Sequence, residues 1–454
     1  MSAIKNLILA SGLLLGTALR GSVPTAIAIR DAHVVTVSGD DLPKATVLLR
    51  NGLIEDVGAQ LAIPADAWVI DGAGLTVYPG FVNALSSWGL AGAGAPANRT
   101  TGAAAAAEPR VRGPEDRPQN FSYERAADSL NTADTRLEAA RAAGFTSSAT
   151  FGDKGIFRGL GAFIDLAGER GRDMVVAEPV AQQITMRTAA GGFSRSFPGS
   201  LMGYISYVRQ MFLDLNQYEQ AKSLYAANPN GQRRPEYDHT LEGLKESPRL
   251  LLPAVQSQQI ERMLTLGAEL QKPFVLYGLH EGFKEVDQLK QANVPVLISL
   301  KWPEKPKEAD PADVPDYREL AIRDQAPSVP GLFAKAGVKF AFYSDGVDGA
   351  ADLKKALKRA VDAGLARPDA IRALTLTPAE IYGVADRTGS IQKGKIANLV
   401  IIKGDAFDDK STVEYVFVDG RQFKPSKESQ QPPPGAGRGG RPGPNYTQTE
   451  EDAR

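Results

Sequence analysis

The sequence predicts an α/β protein. Its leading architecture is a (β/α)8 TIM-like barrel, with an open doubly wound sheet as the second choice. Three observations carry this. Apolar strand-like runs alternate with amphipathic helical stretches over about 300 residues, the pattern of parallel strands joined by crossover helices. Short alternating strands with Asn-Gly and Asp-Gly turns flank that stretch on both sides. The chain has 454 residues, which suggests two or three domains and is long enough for a (β/α)8 barrel.

The elements follow in order. Lys5 precedes a mostly apolar run at 7–19, which fits a secretory signal over 1–26 and implies export. The run falls short of the about 20 residues needed to span a bilayer. A buried first strand or helix is the alternative. Residues 27–78 read as β-structure, with strands at 27–30, 33–37, 46–50 and 53–57 and a hairpin at Asn51-Gly52. Residues 79–387 carry the alternation. A helix at 124–143 ends at Gly144, and a strand at 145–151 follows. Helices at 256–270, 284–292 and 350–363 interleave with strands at 274–277, 294–300 and 338–343. Thr377 caps a helix with Pro378 in its first turn and Gly383 after its end. Residues 388–424 return to β-structure, with an Asp419-Gly420 turn. Residues 425–454 are rich in Pro and Gly and nearly devoid of apolar side chains, so they read as a flexible tail.

Composition excludes several functions. There are 52 Lys and Arg against 53 Asp and Glu, a net charge of −1. That gives no basic face for nucleic acid. Cysteine is absent, which removes disulfides, thiolate metal sites and cysteine nucleophiles. Histidine is limited to His33, His239 and His280. His239, after a polar run and before a helix, reads as a surface or capping residue. The Gly-rich stretch at 152–161 departs from the Gly-x-x-x-x-Gly-Lys-Ser/Thr pattern, so it is no nucleotide P-loop. Its backbone amides, with Lys154 and Arg158, make it a candidate substrate-binding loop; a plain connection is the default.

Four segments together resemble the amidohydrolase superfamily, nearest its imidazolonepropionase and dihydroorotase type. They are Val77-Tyr78-Pro79-Gly80-Phe81-Val82-Asn83-Ala84, Tyr343-Ser344-Asp345-Gly346, Leu374-Thr375-Leu376-Thr377-Pro378-Ala379 with Gly383, and the run from Gly389 to Ile401 that leads to Val416-Phe417-Val418-Asp419-Gly420-Arg421. Their order and spacing match the family from about residue 27 to 424. The resemblance implies a barrel over 79–387 flanked by a small β-sandwich built from 27–78 and 388–424. It also implies hydrolysis of non-peptide C–N bonds, with one or two divalent metals acidifying a bound water and a strand-end Asp as general base.

On this resemblance Asp345 matches the catalytic Asp. The family's His-x-His ligand pair falls on Leu85 and Ser87, and neither suits zinc. The segment 252–257, which looks like the fifth strand, lacks His. The sixth-strand ligand position falls on Gly278 or His280. The typical site uses four histidines; this chain has three, one of them in the N-terminal β-region. The expectation is therefore a degenerate site. Asp345 is its candidate catalytic residue, and His280, Glu281, Lys154 and Arg158 are its candidate binding residues. No metal cofactor is expected unless zinc finds an unusual site. A small molecule is the expected ligand, with neither nucleic acid nor membrane as partner after signal removal. The alternative is a non-catalytic binding or scaffold protein that pairs with itself or with an active relative.

Overall fold

A computed structural model describes residues 26–90, 117–186, 198–231, 233–305, 314–408 and 410–425. The signal and tail readings, save Ala26 and Pro425, lie outside the described residues. The N-terminal strands are β1 (Ala26–Val34), β2 (Leu42–Arg50), β3 (Leu53–Gly58), β4 (Ala67–Asp71), β5 (Leu75–Pro79) and β6 (Phe81–Ser86). The middle holds β7 (Phe145–Thr150), β8 (Phe157–Leu160), β9 (Ala162–Asp165), β10 (Val175–Ala177), β11 (Gln182–Ile184), β12 (Leu250–Ala254), β13 (Phe274–Gly278), β14 (Val296–Ser299) and β15 (Phe340–Tyr343). The last strands are β16 (Leu399–Lys403), β17 (Thr412–Val418) and β18 (Arg421–Phe423). The helices are α1 (Arg136–Ala142), α2 (Leu201–Ala227), α3 (His239–Glu246), α4 (Ser257–Glu269), α5 (Val286–Ala292), α6 (Tyr317–Gln325), α7 (Val329–Ala336), α8 (Ala350–Asp362), α9 (Arg367–Leu374) and α10 (Leu376–Tyr382).

Both ends of the described residues share one sheet. Its order is β18-β17-β16-β5-β1-β2-β3, with β4 on the side of β1. Asn51-Gly52 and Asp419-Gly420 each take two consecutive left-handed residues, the geometry of a tight hairpin. The two hairpin tips meet, and an added Cβ on Gly420 would fall 2.7 Å from the Gly52 Cα. The read strands at 27–30 and 33–37 are one strand, β1, kinked where Asp31 adopts φ 57°.

The other strands form two sheets, β10-β9-β7-β6 and β15-β14-β13-β12-β11-β8. β11 to β15 are parallel, and β6 is parallel to β7. The expectation of parallel strands fails at one place. β8 and β9 are two halves of one run, antiparallel to β11 and to β7 respectively. The six residues at 151–156 are too few for a crossover helix, so the chain turns straight back. Gly161 sits between the halves, where a Cβ would collide with the Phe151 ring at 2.1 Å. This run joins the two sheets.

Alternation along the strands sorts the core. Val82, Ala84, Ala149, Phe163, Leu251, Val275, Leu297 and Ala341 pack in one apolar cluster drawn from both sheets. Leu250, Leu252, Leu276, Val296, Ile298 and Phe342 face the other way, against helix residues such as Ile260, Met263, Leu353 and Leu357. Burial on both faces is what parallel strands under helices require. The arrangement is consistent with a TIM barrel plus a β-rich unit. Asn83, fully buried on β6, reaches the end of β15: its Nδ2 donates to Ser344 Oγ at 2.8 Å, and its Oδ1 accepts from the Ser344 amide at 3.0 Å.

Two helix readings need correction. The stretch at 124–143 is helical only as a 3-10 turn, Ala126–Ser129, and as α1. Asn131 and Asp134 take the amides of Ala133 and Arg136 on their side chains, an alternative to helical bonding that breaks the run. Thr377 does not cap. α10 starts at Leu376, Thr377 is buried, and Thr375 hydrogen bonds back to the Ile371 carbonyl. Gly144 (φ 96°) and Gly383 (φ 76°) take the left-handed positions expected after α1 and α10. No helix among the described residues is long and apolar enough to cross a membrane.

Asn83→Ala strands two buried partners at Ser344. A loss of about 2–3 kcal/mol in unfolding free energy is expected from urea titration. A loss indistinguishable from zero contradicts this role for the carboxamide.

Candidate functional site

The C-terminal ends of β12 to β15 and of β6 lie on one side of the strands, where active sites of parallel α/β folds are built. Two of these ends are bent by unusual backbone. Gly278 (φ 115°) and Leu279 (φ 59°) turn the chain sharply after β13. A leucine with positive φ is strained, by about 1–2 kcal/mol, and here it is wholly buried. The turn is fastened by Leu279 N–H to the Ala254 carbonyl, 2.9 Å. A side chain at Gly278 would meet Val255 Cγ2 at 2.8 Å, so this position is closed to histidine. Of the two sixth-strand alternatives, His280 is the one that carries an imidazole. After β15, Asp345 (φ 50°) and Gly346 (φ 87°) make a second left-handed turn.

These turns bring His280, Ser299 and Asp345 together. Ser299, the last residue of β14, donates from Oγ to Asp345 Oδ2 at 2.9 Å and accepts from the Lys301 amide at 3.1 Å. The His280 ring bonds the Ser299 backbone and lies 6.1 Å from the Trp302 ring. Its Nε2 is sealed from solvent with no hydrogen-bond partner among the described residues. Burial holds the imidazole below its ordinary pKa. Asp345 and the Ser299 backbone oppose this, and Lys301 adds to it. His280 is thus neutral at neutral pH; with its other ring nitrogen donating to the Ser299 backbone, Nε2 carries an open lone pair.

The neighbouring end of β6 is organised around Arg136. Its guanidinium pairs with Asp134 at 2.8–3.1 Å, donates to Ser87 Oγ at 3.1 Å and Ser87 O at 2.8 Å, and reaches Leu90 O at 3.2 Å. Gly89 N–H donates to Asp134 as well, at 2.8 Å. Burial works against the Asp134 charge, but Arg136 and the two backbone amides outweigh it and hold its carboxyl below the usual range. Asp348 accepts from Ser344 Oγ at 2.7 Å and from the Trp88 side chain. Its carboxyl is raised by burial, against those bonds and Arg136.

The metal expected from the resemblance does not fit. Leu85 is buried in the inner apolar cluster. The Ser87 hydroxyl lies against a guanidinium, which repels a divalent cation. No group of three or more His, Asp or Glu converges on one point among the described residues. The only imidazole at these strand ends is His280. His33 sits on β1, and His239 opens α3 with its ring edge-on to Tyr123 at 4.1 Å. The cap of α3 is Asp238, one residue earlier than His239.

The other candidates are dispersed. Glu281 does not pair with its neighbour His280. It is buried and accepts from Ser257 N–H at the start of α4, 2.9 Å, and from Arg318 Nε at 3.1 Å. Lys154 is exposed in the 151–156 connection, and Arg158 follows, partly buried, on β8. Ser299, Lys301, Arg136 and Asp348 were missed by the sequence reading. Small polar residues closing an apolar run, as in Ile298-Ser299-Leu300-Lys301, were the one available signal. Two surface clefts, of about 550 Å3 beside Arg117, Tyr123 and His239 and about 220 Å3 beside Arg367 and Phe407, are lined by none of His280, Ser299 or Asp345.

Residues 277–423 match the amidohydrolase family. That stretch holds His280, Ser299 and Asp345 and excludes β6. Among solved structures, the chain is similar to an amidohydrolase from Thermotoga maritima MSB8, with 25% identity and a TM-score of 0.69 over 88% of this chain and 100% of that one. It shares its fold with a Xaa-Pro dipeptidase with methionine bound in the active site, at 16% identity and a TM-score of 0.52 over 88% and 100% of the two chains. The same holds for a prolidase complexed with N-methylphosphonate-L-proline, again at 16% identity, TM-score 0.52, and 88% and 100% coverage. Comparison with curated proteins gives no match. The matched segment and the Thermotoga neighbour support the amidohydrolase superfamily for this chain.

Proposed function

We propose that this chain is an amidohydrolase-like protein that has given up the metal chemistry of its relatives and keeps a ligand-binding site at the strand ends. One observation carries the reading. Where a metal would need donors, the chain places Leu85 in the apolar interior and the Arg136 guanidinium on Ser87. The polar contacts that remain are Asp345, Ser299 and the unpartnered His280 Nε2. A buried polar atom without a partner marks a place where a ligand atom completes the hydrogen bonding. Asp345, held by Ser299, accepts from an N–H of the ligand, and His280 offers its open nitrogen beside it. The ligand class follows from these groups and from the superfamily: a small amide, cyclic amide or amine. Export rests on the apolar run at 7–19. Pairing with an active relative is the partner reading that goes with a silent site.

A second reading has its own support in the intact Tyr343-Ser344-Asp345-Gly346 segment. In it Asp345 acts as a general base on water or on the ligand N–H and C–N hydrolysis persists without the usual metal pair. The first reading is preferred because Asp345 already accepts from Ser299 and Arg136 takes the Ser87 hydroxyl.

The test uses dihydrouracil and the dipeptide Ala-Pro as probes with the purified chain. Calorimetry is expected to show binding of at least one probe, no turnover, and about tenfold or greater weakening in Asp345→Asn, which loses a charge-assisted hydrogen bond. Turnover that vanishes in Asp345→Asn establishes the second reading instead. Absence of both binding and turnover overturns the site in favour of a scaffold role.

A further inference from the structure

Away from the strand-end site, a second buried polar cluster lies where the β-rich unit meets β7 and β9. Its centre is Asp165, the last residue of β9, 4% exposed. Ser147 on β7 donates to Asp165 Oδ1 at 2.8 Å, and Asn398 donates to the same oxygen at 2.7 Å. Asn398 precedes β16 and serves further contacts. Its Nδ2 also reaches Ser147 Oγ at 3.1 Å, its backbone carbonyl accepts from Gly80 N–H at 2.8 Å, and its Oδ1 accepts from Asp419 N–H at 2.8 Å. Through one carboxyl, therefore, β7 and β9 are tied to the loop before β16 and to the turn between β17 and β18.

We propose that Asp165 is a pH-sensitive fastener of this seam: as the neutral acid it holds the β-rich unit to β7 and β9, and its ionisation loosens that hold. The physical case is desolvation. A carboxylate here has no cation in contact; its bonded partners are a hydroxyl and a carboxamide. Burial pushes the Asp165 carboxyl up to about 7, against the hydrogen bonds from Ser147 and Asn398. Two charged groups face it from the β-rich side. Asp419 repels the charged form, and Arg387, whose guanidinium is bonded to the Val176 carbonyl, favours it. From α1, Arg141 is turned to the Leu166 carbonyl at 2.6 Å and to the Phe423 ring. On β7 and β10 the facing residues carry no titratable group.

The sign follows from proton binding. Between about pH 4 and 7 the folded chain keeps a proton on Asp165 that the unfolded chain has lost, so stability falls as pH rises through this window and levels off above it. The effect on the unfolding constant reaches at most about tenfold per pH unit.

The experiment compares the full chain with Asp165→Asn from pH 5 to 9, reading the thermal midpoint and the hydrogen exchange of the Gly80 and Asp419 amides. The expected result is a wild-type midpoint that falls relative to Asp165→Asn between pH 5 and 8. Exchange at both amides should rise relative to the variant over the same range. A wild-type-to-variant difference that stays constant with pH overturns the proposal. If Asp165→Asn does not fold, Ser147→Ala provides the test. Removing a donor that favours the charged form should shift the loosening to higher pH, and an unmoved profile overturns the proposal equally.

Discussion

The strand-end site depends on how β6 is fixed beside β15. The Asn83 carboxamide does this from inside the protein, giving one hydrogen bond and taking another at Ser344. Ser344 passes the connection on to Asp348, and Asp348 passes it to Trp88, just beyond the end of β6. With this chain of contacts the ends of β6 and β15 are held by neutral and singly charged groups. Arg136 and Asp134 then close the turn from Ser87 to Leu90 from outside. The cross-links at these strand ends are made by amides, hydroxyls and one ion pair.

Arg136 limits what the turn from Ser87 to Leu90 can do chemically. A guanidinium is permanently charged and its donors are spoken for, so it neither activates water nor leaves an open coordination position. On the proposed reading, recognition remains at the site, through an Asp345 carboxyl oriented by Ser299 and a desolvated imidazole at His280. The strained turn at Gly278 and Leu279 fits the same picture. Strain is retained where it aims a side chain, and here it aims His280 toward Ser299 and Asp345.

Sequence and structure agree most where one local rule acts alone. Asn51-Gly52, Asp419-Gly420, Gly144 and Gly383 each demand a left-handed backbone, and each adopts it. The strands read at 274–277, 294–300 and 338–343 and the helices read at 256–270, 284–292 and 350–363 lie within a few residues of those positions, whereas α6 and α7 went unread. The misreadings arise where side chains compete with the backbone or where distant segments decide. Asn131 and Asp134 divert amides from a helix that composition favours. The reversal at β8 and β9 depends on a connection too short for a crossover. Ser299 was illegible as a site residue because its partner, Asp345, is 46 positions away. The Arg136 clamp was hidden for the same reason, and Asp165 carries no local signal because its partner, Asn398, lies 233 positions on.

The most direct test is equilibrium dialysis of the full-length chain against zinc at neutral pH, followed by elemental analysis. The account predicts no stoichiometric zinc on the folded protein. One zinc per chain, lost on substituting His280 or Asp345 by alanine, would contradict it and return metal-dependent hydrolysis to this site.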